Sequence, residues 1–289
     1  MNTILIKGPS GGFSPGITSL ATIDNPTGIA ISLLRLAQSE EHAFNAPSET
    51  ALLLLYGEVE VTLGAQILSA GRESPFDDLP LTLHLPAQRE AHIRAETEAT
   101  LLVYQTSNTS PFSPTLLGPT DYATYKHDAD IVSGAASSLH RPLLSSGAEP
   151  SSSLLLAETI NLPGRWSAYP PRHQPQPLAA FYLFSDPRGF GHTDIGDTVY
   201  KIFPRDTLLI PGGGDYTHCS APGYAMYYAY ALCQQPSLPY QGAELSPAHS
   251  WLLDPNAPIW QPEALSLPLY ESRSRKRQPE LLAPLRSGW

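Results

Sequence analysis

Prolines recur along this chain too often for long helices to form. There are 30 of them in 289 residues, with 21 glycines beside them. A proline inside a helix removes a backbone donor and clashes with the preceding turn, and inside a sheet it is confined to edges. Many short strands joined by turns are therefore expected. The apolar runs fit that reading. Ala51 to Tyr56 is apolar and Gly57 breaks it, then Glu58-Val59-Glu60-Val61-Thr62-Leu63 alternates as a half-buried strand does. Leu81 to Leu85 ends at Pro86, and Thr100 to Gln105 is again rich in strand formers. Gly28 to Ala37 reads equally as helix or strand, because its β-branched residues weaken helix propensity.

The second half of the chain repeats the first. Leu81 to Tyr104 and Thr207 to Tyr228 share one order: apolar strand, proline, turn, histidine (His92 or His218), second strand. The copies lie about 125 residues apart, which indicates duplicated domains. The expected organisation is an N-terminal domain over 1–131, a Ser-, Gly- and Pro-bearing connector over 132–153, a C-terminal domain over 154–255 and a tail over 256–289. Leu139-His140 and Leu143-Leu144 could form a short strand inside the connector. The fold class expected is all-β, with two antiparallel jelly-roll β-barrels packed together.

Charge and composition exclude several functions. Hydrophobic residues make up 42% and charged residues 15%, so the chain can bury cores and is not disordered. A net charge of −10 gives no general basic face for phosphate backbones. Arg273, Arg275, Lys276 and Arg277 form a basic cluster without interleaved aromatics and read as a solvated tail. Cys219 and Cys233 lack metal-type spacing, and a lone pair does not make a disulfide framework. The N-terminal apolar run is too short for a signal peptide, and no stretch has membrane-spanning length. A cytoplasmic protein is expected, with neither nucleic acid nor membrane as partner. A dinucleotide loop is not expected at Gly212 to Gly214, because no helix follows it.

Three segments of the second half carry a resemblance. They are Gly164-Arg165-Trp166-Ser167-Ala168-Tyr169-Pro170-Pro171, Asp186-Pro187-Arg188-Gly189-Phe190-Gly191 and Ala221-Pro222-Gly223-Tyr224-Ala225-Met226-Tyr227-Tyr228. With Ser74-Pro75-Phe76-Asp77 and Leu83-His84-Leu85-Pro86 in the first half, they resemble the 5-deoxyglucuronate isomerases of myo-inositol catabolism, from about Ile4 to about Leu253. The resemblance implies a bicupin and an aldose–ketose isomerase acting on a sugar acid in carbohydrate metabolism. It also implies a divalent metal in the second barrel, held by a His-x-His pair, a Glu and a further His.

Carried over by position, those ligands become Arg172, Gln174, Ala180 and Tyr216. No metal ligand and no cofactor is therefore expected here, although the family would use a divalent ion, and catalytic residues stay unassigned. His173, between Arg172 and Gln174, should face the opposite way from both. His218 should share a face with Tyr216 if its strand is regular. Alternation puts Tyr228 and Tyr230 on one face and Tyr227 on the other. The substrate-binding candidates are Arg172, Gln174, Tyr182, Tyr216, His218 and Tyr228. Arg172 stands out, because a guanidinium can hold a carboxylate by two parallel hydrogen bonds. Two readings stay open: a divergent isomerase, or a metal-free bicupin that binds a sugar acid or other small ligand without catalysis. A small-molecule sugar acid is the expected partner, and assembly as a homo-oligomer stays open. His42, His84 and His92 have no His-x-His spacing and are expected to be structural.

Overall fold

The computed structural model describes residues 3–128, 131–145, 151–235 and 237–260. The basic cluster Arg273 to Arg277 lies outside them. The chain divides into Met1–Pro255, which holds every strand among the described residues, and Asn256–Trp289. Strands dominate, all paired antiparallel, and helix is limited among the described residues to short 3-10 segments such as Pro119–Asp121 and Pro247–Leu253. The ambiguous stretch after Gly28 is a strand, Ile29–Leu36. No helix among the described residues is long and apolar enough to cross a membrane.

The first half is built around the strand Glu49–Leu63, which serves two sets of partners. Its first part pairs with Ala99–Thr106 and Thr82–Leu85, and its second part with Gln66–Arg72 and Glu90–Ala95. Gly57 sits where it changes partners, at φ +96°, and a Cβ there would lie 2.3 Å from the Glu98 carbonyl oxygen. The strand thus continues through Gly57 instead of ending there, and only glycine fits the corner.

In the second half a seven-stranded sheet runs in the order Ile4–Ile6, Thr207–Ile210, Leu178–Phe184, Met226–Cys233, Leu154–Asn161, Ser138–Leu144, Tyr125–His127. A five-stranded sheet runs Thr198–Ile202, Gly191–Ile195, Gly214–Ser220, Trp166–Gln174, Glu244–Leu245. Ile4–Ile6 and Tyr125–His127, which flank the first half in sequence, complete the sheet of the second. Ser138–Leu144 runs within the stretch read as a connector.

The central strands of the seven-stranded sheet, Leu178–Phe184, Met226–Cys233 and Leu154–Asn161, are buried on both faces, which explains why they read as largely apolar runs. Ala179, Phe181, Leu183 and Tyr227 pack with Ile31, Leu53 and Tyr104 of the first half in one core. Ala180, Tyr182, Tyr228 and Leu232, one residue out of step, pack with Ile195 and Ile202 of the five-stranded sheet in another. The first half has its own core around Val59, Val61, Leu83 and Ile93. The period of two along Leu178–Phe184 and Met226–Cys233 thus decides which side chains enter the candidate site.

Candidate functional site

The space between the two sheets of the second half is filled with aromatic rings. Tyr182, from the central strand Leu178–Phe184, has no solvent exposure, and its hydroxyl lies 2.9 Å from His218 Nε2. The His218 ring stacks on Tyr228, with centroids 4.4 Å apart and planes 10° from parallel. Tyr228 in turn shares a 2.8 Å hydrogen bond with Ser167. Tyr216 meets His218 edge-on at 5.8 Å and donates to Gln174 Oε1 at 3.3 Å. The crevice beside Gln174, Tyr216 and Gly212 has no room for a water-sized body.

Burial sets the protonation of this cluster. Desolvation lowers His218 to about 3, so its imidazole is neutral. The same cause raises Tyr228 to about 12 and pushes Tyr182 and Tyr216 further up, so all three phenols stay protonated. His218 Nδ1 has no hydrogen-bond partner among the described residues, and neither has Asn161 Oδ1.

The substrate-binding candidates read from the sequence all lie in this region, but at two levels. Tyr182, His218 and Tyr228 are interior, Gln174 is buried at one end beside Tyr216, and Arg172 stands at the rim. Ala180 is fully buried on the face shared with Tyr182, where it offers a methyl group in the place of a carboxylate. Arg172 pairs in register with Tyr216 across the strands. It holds Asp128 at 3.3 and 3.4 Å, with side-chain exposures of 25% and 15%. His173 faces away, half exposed, with Nδ1 3.2 Å from Asp215. His92, matched to His218 by the internal repeat, is 62% exposed and pairs with Glu90, so the two histidines do not occupy equivalent environments. His84 is buried, stacked on Phe112 and bonded to Glu49 at 2.9 Å.

Sequence reasoning missed Asp128, His127 and His140, which gather at the same rim. His127 and His140 meet at 4.9 Å with their rings tilted 58° to each other, and His140 stacks toward Tyr230 at 6.5 Å. Burial first, then the neighbouring His127, lowers His140 to about 4. Their elements, Tyr125–His127 and Ser138–Leu144, precede the second half in sequence, and only their sheet pairing brings them to Arg172.

The KduI/IolB family model matches residues 17–252. The chain belongs to the KduI/IolB family. No curated protein matches it significantly. Among solved structures it is similar to an IolB-like protein from Salmonella typhimurium, with a TM-score of 0.72 and 19% identity over 86% of this chain and 98% of that one. It is also similar to Ylba from E. coli, with a TM-score of 0.58 and 13% identity over 80% of this chain and 90% of the other. A third likeness is to the oxalate decarboxylase OxdC of Bacillus subtilis, with a TM-score of 0.56, 10% identity and coverage of 76% and 74%. These likenesses show the fold alone, an all-β one.

The donor set present does not fit the metal that the family resemblance implies. A guanidinium has no lone pair to offer, a methyl has no donor atom, and Gln174 and Tyr216 are neutral oxygen donors already bonded to each other. Among the described residues no three His, Cys, Asp or Glu side chains are grouped so as to hold an ion.

Proposed function

We propose that this protein is a divergent member of the KduI/IolB family that recognises a small sugar acid at the rim of its second half through Arg172, without a metal. The observation that supports this is the Arg172–Asp128 pair. Its contacts of 3.3 and 3.4 Å are long for a charge-assisted bond, which ordinarily closes to about 2.7–2.9 Å. An incoming carboxylate can take the place of Asp128 and form two shorter, parallel bonds. The remaining hydroxyls of the sugar meet Tyr216, Tyr230 and His140 on the adjoining strands. Calorimetric titration with glucuronate and galacturonate tests this, with glucose as the uncharged control. Binding of the uronates but not of glucose supports the reading, and no uronate binding rejects it.

A second reading, retention of the aldose–ketose isomerisation of 5-deoxyglucuronate, is favoured by the Tyr182–His218 pair. Moving a proton between adjacent carbons needs one group that accepts and one that donates, and a neutral imidazole beside a protonated phenol supplies both. Their burial weighs against it, since a substrate must reach them. Proton NMR of uronates in deuterated water separates the readings: isomerisation with exchange at the carbon beside the carbonyl belongs only to the second.

A further inference from the structure

Away from the aromatic interior, a second cleft combines a cavity with concentrated positive charge. It holds about 350 Å³ and is lined by Lys7, Ser10, Phe203, Arg205 and Asp206, among others. One wall is the segment Lys7-Gly8-Pro9-Ser10, which leaves the strand Ile4–Ile6. The other is the turn Phe203-Pro204-Arg205-Asp206 before Thr207–Ile210, the strand that pairs with Ile4–Ile6. Gly8 lets the two approach, since a Cβ there would lie 2.6 Å from Arg205 Cβ.

Asp206 holds this arrangement together and uses its charge in doing so. It is buried and accepts from Gly8 N at 3.0 Å, Phe203 N at 2.9 Å and Lys7 Nζ at 2.8 Å. The cations exceed it. Lys7 and Lys201 each place an ammonium over the Phe203 ring, at 5.0 and 5.2 Å. The Arg205 guanidinium makes no hydrogen bond or ion pair with the described residues. Two lining cations (Lys7, Arg205) against one carboxylate (Asp206) leave +1, and Lys201 stands beside the cleft over Phe203 and Phe190, in a chain whose net charge is −10. The nearby Asp186 and Arg188 cancel each other in a two-point pair. Arg205 also sits at φ +72°, a conformation that costs a non-glycine residue about 1–2 kcal/mol.

We propose that this cleft is a binding site for a small phosphorylated ligand, which it recognises by the dianionic phosphate head. A phosphate monoester carries close to two negative charges near neutral pH, which the lining surplus and the adjacent Lys201 together can meet. Its three oxygens suit a point-charge ammonium together with a forked guanidinium. The volume is at the lower end of small-molecule sites and fits a head group with a short body. The arrangement differs from a helix-based phosphate loop, because strands and turns alone build it.

The test titrates the full chain with inorganic phosphate and with glycerol phosphate, using glycerol, acetate and chloride at matched ionic strength as controls. Both phosphates are expected to bind and to raise the melting temperature, and Arg205→Gln to weaken binding at least tenfold. Arg172→Gln should bind phosphate as wild type does, which keeps this site separate from the one proposed for sugar acids. Absence of phosphate binding, an equal response to acetate or chloride, or unchanged affinity in Arg205→Gln would overturn the assignment.

Discussion

Glu158 and Arg72 form a two-point ion pair in which neither side chain has any solvent exposure. Arg72 Nη1 lies 2.7 Å from Oε1 and Nη2 lies 2.9 Å from Oε2. Tyr227 donates to the same carboxylate, and Arg141 approaches it at 3.4 Å. Arg72 also donates to the carbonyls of Leu54 and Asp78, and Arg141 to those of Pro75 and Phe76. The pair joins the strand Gln66–Arg72 of the first half to Leu154–Asn161 of the second. It lies in the wall behind the aromatic site, on the opposite face of the sheet.

The first prediction concerns this pair. Removing one partner of a buried ion pair leaves an uncompensated charge, typically at a cost of about 3–5 kcal/mol. Arg72→Met should fall near the lower end, because Arg141 stays close to the orphaned carboxylate. Glu158→Gln should cost more, since it leaves two buried guanidiniums, Arg72 and Arg141, without their shared carboxylate. Urea unfolding of the three proteins measures the order, and an Arg72→Met variant as stable as wild type would contradict it.

The second prediction concerns pH. His218 is held near 3 and His140 near 4 by burial, below the ordinary value of 6.5. Both are therefore neutral when folded, while the unfolded chain binds their protons below about 6.5. The stability they contribute is complete above that value and is lost as pH falls towards 3 to 4. Each adds a slope approaching about 1.4 kcal/mol per pH unit within that window. Replacing His218 with Phe, together with Tyr182→Phe so that no hydroxyl is orphaned, should flatten the slope between pH 6 and 4.5. Denaturant titrations at those two pH values decide it, and an unchanged slope would count against the neutral, buried His218.

Much of this architecture was legible because the side-chain period of a strand is two. Once Leu178–Phe184 and Met226–Cys233 were read as strands, Tyr182 and Tyr228 fell on one face and Phe181 and Tyr227 on the other. The rim was harder to see. Asp128 lies 44 residues from Arg172, just past a short polar strand whose sequence carries no apolar signal, and its position depends on long-range pairing. Arg72, Arg141 and Glu158 were hidden for a different reason. Charged residues are ordinarily exposed, and only mutual compensation allows three of them in a core. The equivalence of His92 and His218 failed because a repeat preserves strand order more readily than the burial of a given side chain.

The third prediction concerns metal. Protein purified without chelator should carry well under one equivalent of divalent ion in its second half, because Arg172, Gln174, Ala180 and Tyr216 stand at the positions where the resemblance implies metal ligands. Elemental analysis checks this, and stoichiometric zinc, manganese, nickel or iron there would refute it. The combined variant Arg172→His, Gln174→His, Ala180→Glu, Tyr216→His should gain metal on reconstitution, since Ala180 already faces the interior.

The last prediction separates Arg172 from its internal partner. If Asp128 occupies the place of a ligand carboxylate, the two compete for one guanidinium, and substitutions at the two positions must act in opposite directions. Arg172→Ala should weaken uronate binding by roughly 1.5–3 kcal/mol, the usual worth of hydrogen bonds to a charged group. Asp128→Asn frees the guanidinium and should strengthen binding, though by less. The pair it breaks is partly solvated, and such pairs contribute only about 0–1 kcal/mol. For the same reason neither change should move folding stability by more than about 1 kcal/mol. Calorimetric titration of wild type and both variants with glucuronate reads the two signs. Weakening in both would mean that Asp128 assists binding instead of competing, and equal affinity in all three would remove Arg172 from recognition altogether.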